Sequence, residues 1–221
     1  MTIVLIAIIL LYFYLDRKKY NKSIYKDESK LSYFQVKFNK GLYGEYLSFR
    51  ILESLPGYSK ILVNTYIPKD DKTTEIDIIF IHQTGIYVIE SKNYGGWIFG
   101  NENNKNWLQT FKNGHKSYFY NPIWQNNTHI KCLKNLLKDE KDDVYTSIIV
   151  FSERCTLKKI ETYSDQLYVI KRTELQEVME NILADSRQVI SPDRILEIYK
   201  ILKPYTNVSD ELKEKHIENL G

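Results

Sequence analysis

Cysteine is nearly missing from this 221-residue chain: Cys132 and Cys155 are the whole complement. Two thiols cannot build a disulfide framework, which excludes a small disulfide-stapled secreted domain and suits a reducing compartment. They do not build a zinc site either. His129 and Cys132 stand three apart on an expected helix, the spacing of half a site, but no second half follows, and both read as structural. Charge of one sign is also scarce. Lys and Arg number 31 against 28 Asp and Glu, a net charge of +3. Such a balance permits a nucleic-acid partner without demanding one. Internal repeats and low-complexity tracts are absent as well. What remains is the length of one ordinary domain with an appendage, long enough to bury a real core.

The composition is globular, with 43% hydrophobic and 27% charged residues. Tyrosine is abundant, at 18 copies. Tyrosine rings can stack on bases, but half-buried packing is their ordinary use, so the count alone assigns no function.

Residues Thr2 to Leu15 read TIVLIAIILLYFYL, without a charge, and Asp16-Arg17-Lys18-Lys19 follow at once. As a helix the run spans roughly 22 Å, short of the roughly 30 Å hydrocarbon layer. Local thinning and interfacial tyrosines and lysines could close the gap. A signal peptide fits poorly, because the positive charge comes after the apolar run and no small-residue cleavage site follows. The expectation is a single-pass anchor at the cell membrane, with the basic flank and the following domain in the cytoplasm. Residues 1–16 are assigned to this anchor and 17–37 to a basic, polar tether.

Further on, the spacing predicts a helix over Lys40 to Leu55, stopped by Pro56-Gly57 and apolar nearly all round. Strands are expected at Lys60 to Ile67, Glu75 to Ile81 and Ile86 to Lys92. Shorter candidates are Trp107 to Phe111 and Ser117 to Tyr120. Pro122 to Lys138 suits a helix, Val144 to Phe151 a buried strand, and Leu167 to Ile170 another strand. Closing helices are expected over Thr173 to Leu183 and Pro192 to Leu202. Helix, three strands, helix, strand implies an α/β domain: a mixed central sheet flanked by helices.

One juxtaposition carries chemistry. His82-Gln83-Thr84-Gly85 suits a hairpin loop. If Ile81 pairs with Ile86, Asp77 stands directly opposite Glu90 on one face. That face is otherwise apolar, with Ile79, Ile81, Ile86 and Val88. Two carboxylates there repel and resist burial. A divalent cation between them removes both objections, since hard carboxylate oxygens suit Mg²⁺. Lys92, two residues beyond Glu90, can reach a water or phosphate oxygen beside the metal. The bland alternative is an ordinary cross-strand ion pair with Glu75, which Lys92 faces in this register. Glu45 shares the Phe49 and Leu52 side of the first helix; it is either a solvated edge residue or a carboxylate aimed at the same site. Pro122 suits a first helical turn capped by Asn121, which places Gln125 where backbone N–H groups attract phosphate.

At these residues the chain resembles the nuclease-related domain family, NERD. The resemblance is carried by Gly41-Leu42-Tyr43-Gly44-Glu45, then Glu75-Ile76-Asp77, then Gly85-Ile86-Tyr87-Val88-Ile89-Glu90-Ser91-Lys92-Asn93-Tyr94-Gly95-Gly96, then Asn121-Pro122-Ile123-Trp124-Gln125. It runs in order from about Gly41 to Leu137, and the Glu-Ser-Lys-Asn-Tyr run before two glycines is its specific part. The family is placed among PD-(D/E)XK nucleases. The resemblance implies a restriction-endonuclease-like αβββαβ core and Mg²⁺- or Mn²⁺-dependent cleavage of phosphodiester bonds in DNA, or alternatively RNA. It implies Asp77 and Glu90 as metal ligands and Lys92 as the group that orients water or stabilises phosphate. Glu45 matches the acidic position of the first helix, and Gln125 the glutamine opening the second. Ile78 departs from the pattern, where the family often has histidine. Many members carry an N-terminal membrane segment. Residues 38–221 are therefore read as the nuclease-like domain, with its motif-bearing core at about 41–155 and closing helices at 172–203. The competing reading is a module that keeps this fold and binds nucleic acid or protein without turnover.

Overall fold

The computed structural model describes residues 2–138, 142–206 and 208–218. Four helices come first: α1 (Thr2–Lys22), α2 (Tyr25–Ser29), α3 (Tyr33–Phe38) and α4 (Lys40–Glu53). Strands β1 (Ser59–Lys69), β2 (Lys72–His82) and β3 (Gly85–Lys92) follow, then β4 (Gly96–Asn101), β5 (Asn106–Thr110) and β6 (Lys116–Tyr120). Helix α5 (Pro122–Leu137) leads to β7 (Tyr145–Phe151), β8 (Cys155–Glu161) and β9 (Leu167–Lys171). Helices α6 (Leu175–Asp185), α7 (Pro192–Leu202) and α8 (Asp210–Glu218) close the chain.

The strands form two mixed sheets. The larger runs β1-β2-β3-β7-β9, antiparallel up to β3 and parallel beyond it. Its faces are covered on both sides. Phe49 and Leu52 of α4 and Leu175 and Met179 of α6 pack with Ile78, Phe80, Tyr87 and Ile89. Leu133 of α5 and Ile195 and Ile198 of α7 pack on the opposite face with Ile79, Ile81, Ile86 and Val88. Cover on both sides explains why β3 reads as an unbroken apolar run rather than an alternating one. The expected order α4, β1–β3, α5, β7 is present, with β4–β6 inserted before α5.

The second sheet, β6-β5-β4-β8, holds the two short strands expected at Trp107 to Phe111 and Ser117 to Tyr120 as β5 and β6, and adds β4 and β8. It forms because β3 and β7, parallel neighbours, each leave the first sheet through three residues and pair again as β4 and β8. The two links are stitched together. Ser152 donates through its N–H to Lys92 O at 2.9 Å and through Oγ to Tyr94 O at 3.0 Å. Arg154 donates to the Asn93 carbonyl at 2.8 Å and to Asn93 Oδ1 at 2.7 Å. Gly96, at φ 74°, lies so close to Thr110 O that a Cβ would sit 2.3 Å from it. The Asn-Tyr-Gly-Gly run is thus a junction between sheets. Gly and Asn, poor strand formers, hide β4 from a propensity reading.

Two expectations about the first 37 residues need correction. Among the described residues no helix is long and apolar enough to cross a membrane. The apolar run of α1 stops at Leu15, and four charged residues follow inside the same helix. The spanning helix therefore has no support, although the apolar side chains up to Leu15 are largely exposed, Ile3 at 83%. Residues 17–37 are not a tether but folded structure. Tyr20, Tyr25, Tyr33 and Val36 are buried and join the α4-side core. Tyr20 donates to Leu31 O at 2.8 Å, Ser23 to Glu53 at 2.8 Å, and Lys37 pairs with Asp16 at 2.7 Å. Tyrosines separated by lysines and serines look polar in sequence, yet their rings face one way and pack edge-on against Tyr46 and Phe49.

Candidate active site

The expected hairpin register is present with a tighter turn. Gln83 and Thr84 alone form the turn, because His82 and Gly85 are already paired, and the ladder runs to Ile78↔Ile89. Asp77 and Glu90 stand at the next step, where the strands part. There the Ser91 N–H donates to Asp77 Oδ2 at 2.8 Å.

A kink on the other side of β2 sets this geometry. Asn64 has φ 48°, a left-handed value that Asn tolerates better than most residues. It falls between Val63↔Ile78 and Thr65↔Ile76, opposite Asp77. The side-chain alternation slips there on both strands. Ile61, Val63, Ile78 and Phe80 face α4, while Leu62, Ile79 and Ile81 face α5 and α7. Beyond the kink Ile67 and Ile76 also turn to the α5 and α7 side. Asp77 sits at the crossing, so carboxylates from both faces of the sheet come near it.

Glu90 is 2% exposed. Lys92 Nζ donates to Glu90 Oε1 at 2.6 Å and to Gln125 Oε1 at 2.9 Å. The bland pairing of Lys92 with Glu75 is not formed; Glu75 instead accepts from the Tyr66 hydroxyl across β1. Behind Glu90 lies His129, itself buried. Its Nε2 is 3.2 Å from Glu90 Oε2, and its Nδ1 is 3.0 Å from Thr74 Oγ1. Burial alone would raise the Glu90 carboxyl, but the Lys92 ammonium and the His129 ring outweigh it and hold it below the usual range. Burial likewise opposes the Lys92 charge, and Glu90 and Asp77 overcome it, leaving the ammonium above its ordinary value.

Asp77 and Glu45 go the other way. Burial, then the charges of Glu90 and Glu45, push the Asp77 carboxyl well above the usual range. Burial, with Glu75 and Glu90, pushes Glu45 up to about 8. Glu45 Oε2 and Glu90 Oε2 are buried without a hydrogen-bond partner among the described residues. Asp77, Lys92, Gln125, His129 and Glu75 line one cavity of about 620 Å³. Of the residues expected at a site, Asp77, Glu90, Lys92 and Gln125 meet here, and Glu45, open in the sequence between a solvated edge and a carboxylate aimed at the site, is buried and near enough for its charge to raise Asp77. His129, which reads as structural in the sequence, joins them. The signal was present, since His129 is one helical turn after Gln125 and therefore on its face.

Buried polar caps hold α5 in place. Asn121 accepts from Ile123 N at 2.9 Å and donates to the carbonyls of Asn101, Glu102 and Asn104. Asn126, fully buried, donates to Val88 O and Ser147 Oγ, each at 2.8 Å. These bonds tie the Gln125–His129 face to β3 and β7.

The model of the nuclease-related domain, NERD, matches residues 40–152, just over half of the chain. This chain belongs to the NERD family. The family lies within the PD-(D/E)XK-like nuclease superfamily. An uncharacterized protein of Bacillus anthracis is 32% identical over 184 residues, covering 82% of this chain and 84% of its own length. No solved structure matches. The NERD match spans α4 to the end of β7, so it contains the site, the first link of the sheet junction and Ser152 of the second.

Among the described residues no group of three or more His, Cys, Asp or Glu side chains is arranged to hold a metal. Mg²⁺ asks for less, since it keeps several waters and is often held by one or two carboxylates. On that measure the residues fit a hard divalent cation. They offer buried carboxylate oxygens without a hydrogen-bond partner, and carboxyls driven to hold protons by burial and then by one another's charge.

Proposed function

We propose that this protein is a metal-dependent nuclease that hydrolyses phosphodiester bonds in DNA or RNA. One observation carries the reading: Asp77 lines a cavity with Lys92 and Gln125, and burial together with the charges of Glu90 and Glu45 behind it drives its carboxyl up, a cost that a bound cation would offset. Asp77 and Glu90 would hold Mg²⁺ or Mn²⁺, which supplies Lewis acidity and neutralises charge on a phosphate when bound. Lys92 has three donors, two of them held by Glu90 and Gln125. The third is free to meet a phosphate or water oxygen where negative charge builds. Gln125 fixes the ammonium from the helix side, and His129 backs Glu90 so that its carboxylate keeps one orientation. A module that retained only the fold would gain nothing from holding these charges together, because a buried ion pair is weak support for stability.

The apolar part of α1, too large an exposed face to be incidental, attaches the domain to a membrane surface, with Arg17, Lys18 and Lys19 drawn to the anionic headgroups of the cytoplasmic leaflet. A chain starting after Leu15 should be soluble and folded. One starting at Lys22 should be destabilised, since it lacks the buried Tyr20.

The test of the activity is incubation of the protein with labelled single- and double-stranded DNA and RNA, with and without Mn²⁺. Cation-dependent cleavage of at least one substrate is expected. Bound Mn²⁺ without cleavage of any of the four would transfer the reading to a binding module.

A further inference from the structure

The second sheet has one face in the core and one in solvent. Ile98, Trp107 and Phe119 point inward and pack with Phe151 and Ile123. By the two-residue period of a strand, Trp97, Tyr118 and Tyr120 point outward, and their exposures are 38%, 71% and 47%. Three large rings on one solvent face of a small sheet need a reason. Lysines frame them. Lys116 lies on β6 in line with Tyr118 and Tyr120. On β8 the register shifts opposite Ile98/Phe99, so Leu157 and Ile160 both turn inward while the intervening Lys158 and Lys159 are both exposed. A bulge that re-aims side chains in this way recurs beside functional sites. Lys158 Nζ lies 5.6 Å from the Trp97 ring centre. The acid on this face, Glu161, is already engaged by Lys159 at 3.1 Å and Asn101 at 2.6 Å.

Tyr120 joins this face to the candidate active site. It lines the same cavity as Asp77, Lys92 and Gln125 and meets Trp124 edge-on at 6.3 Å. We infer that the outer face of the second sheet is a stacking platform for a single-stranded segment of nucleic acid, leading it across Trp97, Tyr118 and Tyr120 into the cavity. The inference rests on the nuclease reading for its direction and names the substrate class of that site. Geometry favours the single strand. Tyr118 and Tyr120 are two residues apart on a strand, about 6.7 Å, nearly twice the roughly 3.4 Å between stacked bases of a duplex. Rings so spaced receive splayed bases, and only unpaired bases offer their faces to stacking. The lysines match phosphates between the bases.

The test uses the full chain with a fluorescent 20-nucleotide single strand and the same sequence as a duplex, in chelator so that nothing is cleaved. The single strand should bind at least about tenfold more tightly. Trp97→Ala and Tyr118→Ala should each weaken it by about tenfold, the size of one lost stack, with Tyr118→Phe within about twofold of the parent. Lys158→Ala should reduce the salt dependence by about 0.7 in log–log slope. Equal affinity for duplex, or alanine variants that bind like the parent while the rings mediate self-association, would overturn the platform. Binding in chelator separates the two readings. Tight single-strand binding with no Mn²⁺-dependent cleavage ends the nuclease and leaves the platform. Cleavage of duplex with unchanged affinities ends the platform and leaves the nuclease.

Discussion

At the turn end of the β2–β3 hairpin, five residue pairs from His82↔Gly85 to Ile78↔Ile89 bury mainly apolar side chains on both faces. One step further, at the open end, the same two strands bury or half-bury Asp77, Glu90 and Lys92. The ladder is regular in the first region. In the second it parts, with Ser91 N–H turned onto a carboxylate and the alternation of β2 reversed opposite Asn64. The turn end contributes stability by removing apolar surface from water. The open end holds charge at a cost in stability, as functional sites tend to. The two regions should therefore respond oppositely to substitution.

The largest effect is expected at the open end. Asp77→Asn removes a proposed ligand and a repelling charge together. Cleavage should fall to background while the melting temperature of the cation-free protein holds or rises. At the turn end Ile79→Ala should do the reverse, costing about 2–5 kcal/mol of stability in a denaturant titration and leaving the rate per folded molecule near the parent's. Lys92→Ala should cut the rate by about 10²–10³ and also lower stability, because Glu90 would be left buried without its ammonium. Equal stability losses in Asp77→Asn and Ile79→Ala would erase the contrast between the two ends.

A smaller effect is set by pH. Glu45 holds its proton up to about 8 in the folded chain, whereas an unfolded carboxyl releases it near 4.5. Between those values the folded state binds the extra proton, so stability falls as pH rises. The cation-free protein should melt at a lower temperature at pH 8 than at pH 5, and Glu45→Gln should flatten that slope. A slope unchanged in Glu45→Gln would remove Glu45 from the site. The smallest effect belongs to the kink. Asn64→Ala should cost about 1 kcal/mol for its left-handed backbone, and Asn64→Gly nearly nothing; thermal melting of the pair checks this.

Much of the first sheet could be read in the sequence, and for a definite reason. A short turn fixes register, and a period of two then decides which residues meet, so the hairpin pattern alone matches Asp77 with Glu90. The kink could not be seen, because an Asn inside an apolar strand does not announce a positive φ. Nor could β4 of the second sheet, mostly Gly, Asn and aromatics beside the legible β5 and β6, or the helices of residues 17–37, whose buried tyrosines are spaced among lysines. His129 is legible too: its spacing to Cys132 mimics half a zinc site, while its place one turn after Gln125 points it to Glu90.

On the proposed function, the open end of this hairpin is a cation site. Melting the cation-free protein against rising Mn²⁺ at pH 8 tests it most directly. Stabilisation should grow with concentration, reaching about 2.7 kcal/mol at a hundredfold excess over the dissociation constant, and should vanish in Asp77→Asn. Mn²⁺ that stabilises Asp77→Asn as well as the parent, or stabilises neither, would contradict the claim.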